Sequence, residues 1–168
     1  MSNKNVQRLL ALTMLTAAVL GAANARAESP SERGKYLVGI MDCTGCHTTG
    51  ALGGQPDPAL FLAGSDIGFE IPGLGIFYPP NLTSDGKTGL GTWSERDIAT
   101  ALRTGVRPDG RELAPAMPWR SYAKLNDEDV QAVAAYLKNL PAVDHETPSP
   151  IGPSEKAPAP YFTVAMPD

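Results

Sequence analysis

Cysteine and histidine are scarce in this sequence. Its 168 residues include two cysteines, Cys43 and Cys46, and two histidines, His47 and His145. A structural zinc site needs four ligands, and this set, with His145 far away in the sequence, argues against one. A thioredoxin-like pair of cysteines would lie near a βαβ pattern, and none is visible. These two explanations of the cysteines are therefore disfavoured.

Long apolar runs and excess positive charge are also missing. Beyond residue 23, no stretch has the ~20 apolar residues that a membrane-spanning helix needs. The chain carries 14 Lys+Arg against 18 Asp+Glu, a formal charge of −4. Nucleic-acid binding requires a basic surface, so we expect no nucleic-acid partner and no transmembrane segment in the mature chain. A negative charge is compatible with docking on a basic or mixed partner surface.

Residues 1–27 have the features of a secretion signal. A basic start precedes a predominantly apolar run over 9–23, and Ala25-Arg26-Ala27 is a small-residue cleavage site. The pattern predicts cleavage after Ala27, a mature chain that begins at Glu28, and a periplasmic location in a cell with two membranes. Removing this segment takes away three basic residues and no acids. The mature balance is then 11 Lys+Arg against 18 Asp+Glu, a formal −7.

The segment Cys43-Thr44-Gly45-Cys46-His47 carries the chemistry. Two cysteines two residues apart, followed at once by histidine, are the signature of covalent c-type haem attachment. One helical turn between the sulfurs matches the separation of the two porphyrin vinyl groups, and His47 then supplies the proximal imidazole. A simple disulfide would leave the histidine unexplained. With one such motif and no internal repeats, we expect one haem c, and a backbone carbonyl within residues 55–60 to accept from His47 Nδ1.

Met117 is the preferred second axial ligand. It lies between Pro115 and Pro118, which restrict the backbone of its loop. Met/His ligation is an established way to hold a haem iron, and the alternative for Met117 is a core-filling side chain. The other candidates lie in the signal, beside the first cysteine or near the C-terminus: Met1, Met14, Met41, His145 and Met166.

Three main helices are predicted. The first has Ser29 as its N-cap with Glu32 completing a capping box, and runs directly into Cys43. Its apolar face is expected to consist of Tyr36, Leu37, Ile40 and Met41. The second begins after Ser94, supported by Asp97, and ends near Arg103 with Gly105 as the stop. The third begins after Asn126 and closes at Lys138.

Glycine and proline are frequent over residues 48–92, which predicts a long loop that wraps the haem. Two short extended pieces are expected within 69–78, around Pro72-Gly73. Asn81-Leu82-Thr83 matches a glycosylation sequon, interpreted here as a chance match at a turn. Trp93 has two interpretations, a hydrophobic staple against Ile98 or a donor to a haem propionate. Residues 28–142 form one expected domain, and the Pro-rich tail 143–168 is expected to lie on the surface or to be disordered.

With these features the sequence resembles a class I c-type cytochrome. Longer strings are similar to the haem domains of the cytochrome subunits of bacterial alcohol, aldehyde and gluconate dehydrogenases: residues 33–37, 81–94, 101–111, 115–118 and 121–125. The resemblance covers roughly residues 31–142. It implies an all-α haem fold whose first and last helices cross, with Cys43 and Cys46 as thioether anchors, His47 proximal and Met117 distal.

The resemblance has a departure, since those subunits carry three such domains and a membrane-binding C-terminal segment, and this chain has one domain and a Pro-rich tail. The leading hypothesis is a non-enzymatic electron carrier that takes single electrons from a dehydrogenase to a downstream cytochrome or oxidase. One alternative is a dedicated haem subunit of one dehydrogenase, docked through residues 143–168. The other is a gas- or peroxide-binding protein, if the Met117 bond is absent or labile.

Overall fold

The computed structural model describes residues 28–165 and residue 167. The expected signal segment and Met166 lie outside the described residues. The helices are α1 (Pro30–Ile40), α2 (Cys43–His47), α3 (Glu95–Thr104), α4 (Trp119–Tyr122) and α5 (Asp127–Lys138). Two 3-10 turns (Ala51–Gly53 and Pro58–Leu60) and three strands, β1 (Gly68–Ile71), β2 (Gly75–Phe77) and β3 (Tyr161–Phe162), complete the regular structure.

The starts of the three long helices form as predicted, because each carries its own capping residue. Ser29 caps α1 in a complete capping box with Glu32. Ser94 caps α3 in the same way, and Gly105, at φ 72°, ends it in the left-handed conformation that glycine adopts without strain. Asn126 accepts from the backbone of Asp129 at the start of α5. These signals are local, so the sequence alone suffices to find them.

Helices α1 and α5 pack tightly against each other at Gly34. A Cβ added at Gly34 would overlap the carbonyl oxygen of Ala132 and lie 2.6 Å from the Cβ of Tyr136. Arg33 joins the same two helices through a two-pronged contact with Asp129, at 2.8 and 3.2 Å. The two helices are therefore held together by close packing and by an ion pair. That they cross remains a prediction.

The hydrophobic core lies between α1, α3 and α5. Its buried members include Leu37 and Val38 from α1, Ile98 and Leu102 from α3, and Val133 from α5. A second group of partly buried side chains packs against this core: Met41, Leu82, Trp93, Met117, Tyr122, Leu125 and Tyr136. The core therefore extends to the segment around the two cysteines, and Cys43 itself belongs to it.

The predicted course of the first helix is wrong in two respects. Helix α1 ends at Ile40, and Asp42 then adopts a left-handed conformation (φ 54°) before the separate helix α2 begins. Tyr36 and Ile40 are 54% and 62% exposed, so they do not form the buried face with Leu37. The close approach of Gly34 to α5 fixes the rotation of α1 and turns Gly34, Leu37 and Val38 inward.

A small sheet corrects the expectation of an all-α fold. Strands β1 and β2 form the hairpin expected around Pro72-Gly73, with Phe69 opposite Phe77. Strand β3 from the C-terminal tail then adds to β1 in parallel, in the order β2-β1-β3. The fold is therefore helical around the core, with a three-stranded sheet on its loop side.

The tail beyond residue 142 lies against the domain in an extended conformation. Ile151 exchanges two backbone hydrogen bonds with Ile76, each of 3.0 Å. The hydroxyl of Tyr78 donates to the carbonyl of Ala159 at 2.9 Å. Long-range backbone pairing decides where this segment lies.

Within the described part of the chain, every helix is too short or too polar to traverse a lipid bilayer.

Candidate haem site

Helix α2 is a single turn that presents the attachment motif. The left-handed Asp42 turns the chain between α1 and Cys43. A Cβ at Gly45 would lie 2.5 Å from one oxygen of the Asp42 carboxylate, so only glycine fits here without displacing that side chain. The turn places Cys43, Cys46 and His47 within five consecutive residues of one helix, which is the arrangement that the motif requires.

His47 is buried and held by one specific hydrogen bond. Its ring is 6% exposed, and its Nδ1 donates to the carbonyl oxygen of Pro80 at 2.7 Å. The expectation that this acceptor would lie within residues 55–60 is therefore wrong. Engagement of Nδ1 leaves Nε2 as the ring nitrogen available to a metal, since the two nitrogens have distinct roles.

Burial lowers the pKa of His47 below its ordinary value, and the hydrogen bond to Pro80 acts in the opposite direction. A lowered pKa keeps the imidazole neutral, which is the form that coordinates metals. The side chain is thus buried, oriented and in the correct protonation state for ligation.

The backbone around His47 is anchored by the loop that follows it. The amide of Gly64 donates to the His47 carbonyl at 2.8 Å. The hydroxyl of Thr48, which is 2% exposed, accepts from the amide of Leu62 at 3.0 Å. Together these bonds tie helix α2 to residues 62–64 and fix the position of the imidazole.

Cys43 is buried, Cys46 is half-buried, and the two form no disulfide. Burial raises the pKa of Cys43 to about 11 and also raises that of Cys46, and the charge of the nearby Asp42 adds to both shifts. The thiols are therefore protonated at neutral pH. A protonated thiol is a poor partner for disulfide exchange, so this pair is not poised for redox chemistry of its own.

Met117 lies in a tight turn before helix α4. Its amide donates to the Ala114 carbonyl at 2.9 Å, and its own carbonyl accepts from the Trp119 amide at 2.8 Å. Its side chain is half-buried and packs against the core that contains Cys43. The structure therefore brings Met117 to the same core as the attachment motif.

The other candidate ligands lie elsewhere or have other contacts. Met41 is half-buried and packs against the core, as expected for a packing residue. His145 donates from Nδ1 to the carbonyl of Ala63 at 2.9 Å. Met166 lies outside the described residues.

Tyr122 connects the loop of Met117 to the attachment motif. Its hydroxyl donates to the carbonyl of Met41 at 2.8 Å. Burial raises the pKa of Tyr122 to about 12, and the nearby Cys43, Cys46 and Asp42 act in the same direction. The hydroxyl therefore remains a donor at any working pH, and it holds the two sides of the site together.

Arg107 is a candidate site residue that the sequence did not point to, and Trp93, against which it lies, packs on the core that contains Cys43. Its guanidinium lies 5.3 Å from the centre of the Trp93 ring, and its side chain is 23% exposed. Among the described residues, Nε of Arg107 is buried without a hydrogen-bond partner, although an Asp109 oxygen lies 3.4 Å away. Asp109 therefore pairs only weakly with this guanidinium, and its remaining donor capacity suits a second anionic group such as a haem propionate.

In the sequence, the one indication of a role for Arg107 is its position within residues 101–111, one of the strings that carry the resemblance. Burial lowers the pKa of Arg107, and the charge of Arg111 adds to this shift. Asp109 opposes both effects through its charge and its contact with the guanidinium. The donors therefore match a haem: two thiols for the vinyl groups, a free imidazole nitrogen, and a cation for the acidic edge.

Comparison with known proteins agrees with this geometry. The family model described as "Cytochrome c" matches residues 31–141. The chain belongs to the cytochrome c family. Its domain is an electron-transfer domain of the class I type, and its cofactor is covalently bound haem c.

Several relatives of this cytochrome are named as subunits of dehydrogenases. It is 38% identical over 132 residues to the "Alcohol dehydrogenase (quinone), cytochrome c subunit" of Gluconobacter oxydans, covering 77% of this chain and 26% of the relative. It is 37% identical over 142 residues to the "Fructose dehydrogenase cytochrome subunit" of Gluconobacter japonicus, covering 77% and 27%.

A third relative is the "Gluconate 2-dehydrogenase cytochrome c subunit" of Pantoea cypripedii, which is 38% identical over 133 residues, covering 79% of this chain and 28% of the relative. The chain thus spans about a quarter of the length of these three relatives. The resemblance to dehydrogenase cytochrome subunits is confirmed at the level of the haem domain.

Proposed function

We propose that this cytochrome is the haem-bearing electron-transfer subunit of a periplasmic dehydrogenase complex, with His47 and Met117 as the axial ligands of one haem c. The observation that carries the proposal is the buried His47, whose Nδ1 is engaged by Pro80 and whose Nε2 is left for iron. The sequence alone favours a free electron carrier as the leading hypothesis. The relatives favour a subunit instead, because all three named above are cytochrome subunits of dehydrogenases.

Each protein group has a definite part in this function. A bound haem c supplies a one-electron ferrous/ferric couple. Cys43 and Cys46 would anchor it covalently, and Arg107 beside Trp93 would hold a propionate. His47 and the thioether of Met117 would fill both axial positions, which keeps reorganisation small and leaves no position for substrate. The electron source would be an oxidisable alcohol, sugar or sugar acid, as in the relatives.

Export to the periplasm is part of the proposal and rests on the pattern of residues 1–27. The charge is consistent with this location, since a formal −7 on the expected mature chain suits a basic or mixed docking surface on the dehydrogenase.

The test begins with the holoprotein purified from a host that matures c-type cytochromes. We expect a mass increase equal to one haem and a low-spin spectrum of His/Met type. The tagged chain should copurify at one-to-one stoichiometry with a dehydrogenase that reduces it when alcohol, fructose or gluconate is added. A protein that carries one haem and is reduced by a dehydrogenase without remaining bound to it would be a free carrier. A protein without covalent haem would refute the whole proposal.

The alternative function, gas or peroxide binding, predicts an open axial position on the haem iron. The reduced protein would then bind carbon monoxide rapidly and stoichiometrically, because an open axial position accepts it. We expect slow or negligible binding to the wild type, since Met117 packs in a constrained turn against the core.

A further inference from the structure

Asn81 and Thr83 are the two most buried polar side chains of the loop that follows the sheet, each 1% exposed. Neither is needed to attach a haem. A buried amide or hydroxyl is costly unless it is hydrogen-bonded, so their partners show what these residues hold. The burial of Asn81 also agrees with reading its sequon as a chance match.

The side chain of Asn81 is bonded to the C-terminal tail. Its Nδ2 donates to the carbonyl of Val143 at 2.8 Å and to that of His145 at 3.3 Å, as well as to the hydroxyl of Thr88 at 3.0 Å. Its Oδ1 accepts from the amide and the hydroxyl of Thr83, at 2.8 and 2.7 Å. Two of the three acceptors of the amide are therefore supplied by the tail backbone.

The tail is itself fixed at this point. The amide of Val143 donates to the Thr83 hydroxyl at 3.2 Å. The ring of His145 donates to the Ala63 carbonyl at 2.9 Å, and Ile151 is paired with Ile76 further along. Residues 143–151, which we call the strap, thus lie along the segments that contain Ala63, Ile76 and Thr83.

The strap packs directly onto the turn at Gly64, which is hydrogen-bonded to the backbone of His47. A Cβ at Gly64 would overlap the Thr147 methyl group and lie 3.0 Å from both the Pro79 carbonyl oxygen and the Asn81 amide nitrogen. The amide of Gly64 is the donor to the His47 carbonyl. The strap, Gly64 and Pro79–Asn81 are therefore successive parts of one packed layer.

Peptide geometry connects Asn81 to the hydrogen bond of His47. The carbonyl of Pro80 and the N and Cα of Asn81 belong to one planar peptide unit, so the position of Asn81 sets the direction of that carbonyl. Pro79 and Pro80 have no backbone N–H with which to anchor the segment themselves. The side chain of Asn81 takes over part of that anchoring.

We propose that the strap, acting through Asn81, aims the Pro80 carbonyl at Nδ1 of His47, which makes Asn81 a positioning residue for the proximal imidazole. This inference rests on the proposed function, because it takes His47 to be an axial ligand. A hydrogen bond at Nδ1 makes the imidazole a more basic ligand and favours the ferric state. Loosening the strap should therefore shift the one-electron equilibrium toward the ferrous state.

Four variants of the full holoprotein test the strap. Deleting residues 143–168 should shift the reduction equilibrium about tenfold toward the ferrous form, which corresponds to about 59 mV for one electron. His145→Ala and Thr83→Val should give smaller shifts in the same direction. The control is deletion of residues 153–168, which removes β3 and the Tyr78–Ala159 contact but keeps the strap. It should leave the equilibrium at the wild-type value.

The second readout is hydrogen–deuterium exchange at Nδ1 of His47, measured by NMR. It should become faster in the three strap variants and remain slow in the control. Unchanged exchange of the backbone amides of α1 and α5 in the same variants excludes a purely global loss of stability. If the deletion of residues 143–168 yields no holoprotein, the test relies on two point variants: His145→Ala, at a half-buried position, and the near-isosteric Thr83→Val. Wild-type equilibrium and exchange in both of these would overturn the proposal, as would an equal shift in the control.

The NMR spectrum of the wild type distinguishes a failure of this proposal from a failure of the proposed function. If its NMR spectrum shows no coordinated His47 ring, the assignment of the ligand is wrong and the strap has nothing to position. If His47 is coordinated and the variants behave like the wild type, only the strap proposal fails.

Discussion

Gly34 of α1 lies directly against the carbonyl of Ala132 in α5, at a distance that leaves no room for a side chain. Gly34→Ala should therefore lower the free energy of unfolding by about 1–3 kcal/mol, the usual cost of overpacking. Gly39, on the same helix, has no atom within 4 Å of its would-be Cβ. Gly39→Ala should stabilise by about 0.5–1 kcal/mol through helix propensity. Denaturant unfolding of both holoproteins measures the contrast, and equal effects would contradict this packing.

Met117→Ala should open the distal position. The reduced variant should bind carbon monoxide rapidly, and its reduction potential should fall, because a thioether raises the potential within the roughly 0.8 V range that axial ligands set. The matched control is Met41→Leu, since Met41 is also a half-buried methionine packed against the core. It should keep the wild-type spectrum. Loss of the distal ligand in the Met41 variant instead would reverse the assignment.

Arg107→Gln should lower the reduction potential by an amount on the order of tens of millivolts, because a positive charge near the haem favours the ferrous state. Arg111 supplies the control, since it is 46% exposed and carries the same charge nearby. Arg111→Gln should change the potential by much less. Protein-film voltammetry compares the two, and a larger effect of Arg111 would remove Arg107 from the site.

The Arg33–Asp129 pair should make the contact between α1 and α5 sensitive to acid. The hydrogen bond from Arg33 holds the pKa of Asp129 below its ordinary value. A lowered carboxyl pKa contributes stability above the unfolded-state value of about 3.9, and this contribution is lost as the pH falls through the folded-state pKa. Asp129→Asn should therefore lower the melting temperature at pH 7, with a difference from wild type that shrinks below about pH 4.

Asp127→Asn is the matched control for that pair. Asp127 is bonded to Arg103 at 2.6 Å, but its side chain is 98% exposed, and exposed ion pairs contribute little. Its melting temperature should follow the wild type at every pH. A pH-independent difference for Asp129→Asn would mean that its effect comes from packing or capping rather than from the charge.

The sequence was sufficient to predict those structural features that local interactions determine. Ser29, Ser94 and Asn126 each cap a helix within three residues, so the starts of the three long helices could be predicted. The haem-attachment motif is equally local, because its two cysteines and its histidine occupy one turn of helix.

Distant contacts account for what the sequence did not show. The acceptor for His47 is Pro80, 33 residues away, and no pattern near His47 identifies it. The exposure of Ile40 follows from how Gly34 meets the other helix. Arg107 is recognisable only when its guanidinium is seen over Trp93 with an unpaired Nε.

The pairing of β3 with β1 has a consequence for the order of folding. The hydroxyl of Thr163 reaches the Glu70 carboxylate across 93 residues of sequence, beside the parallel pairing of Gly68 with Tyr161. Closing so large a loop is entropically costly and is repaid only once the helices have assembled. The C-terminal residues should therefore dock last, and until then the loops behind the imidazole stay accessible to the machinery that joins porphyrin to protein.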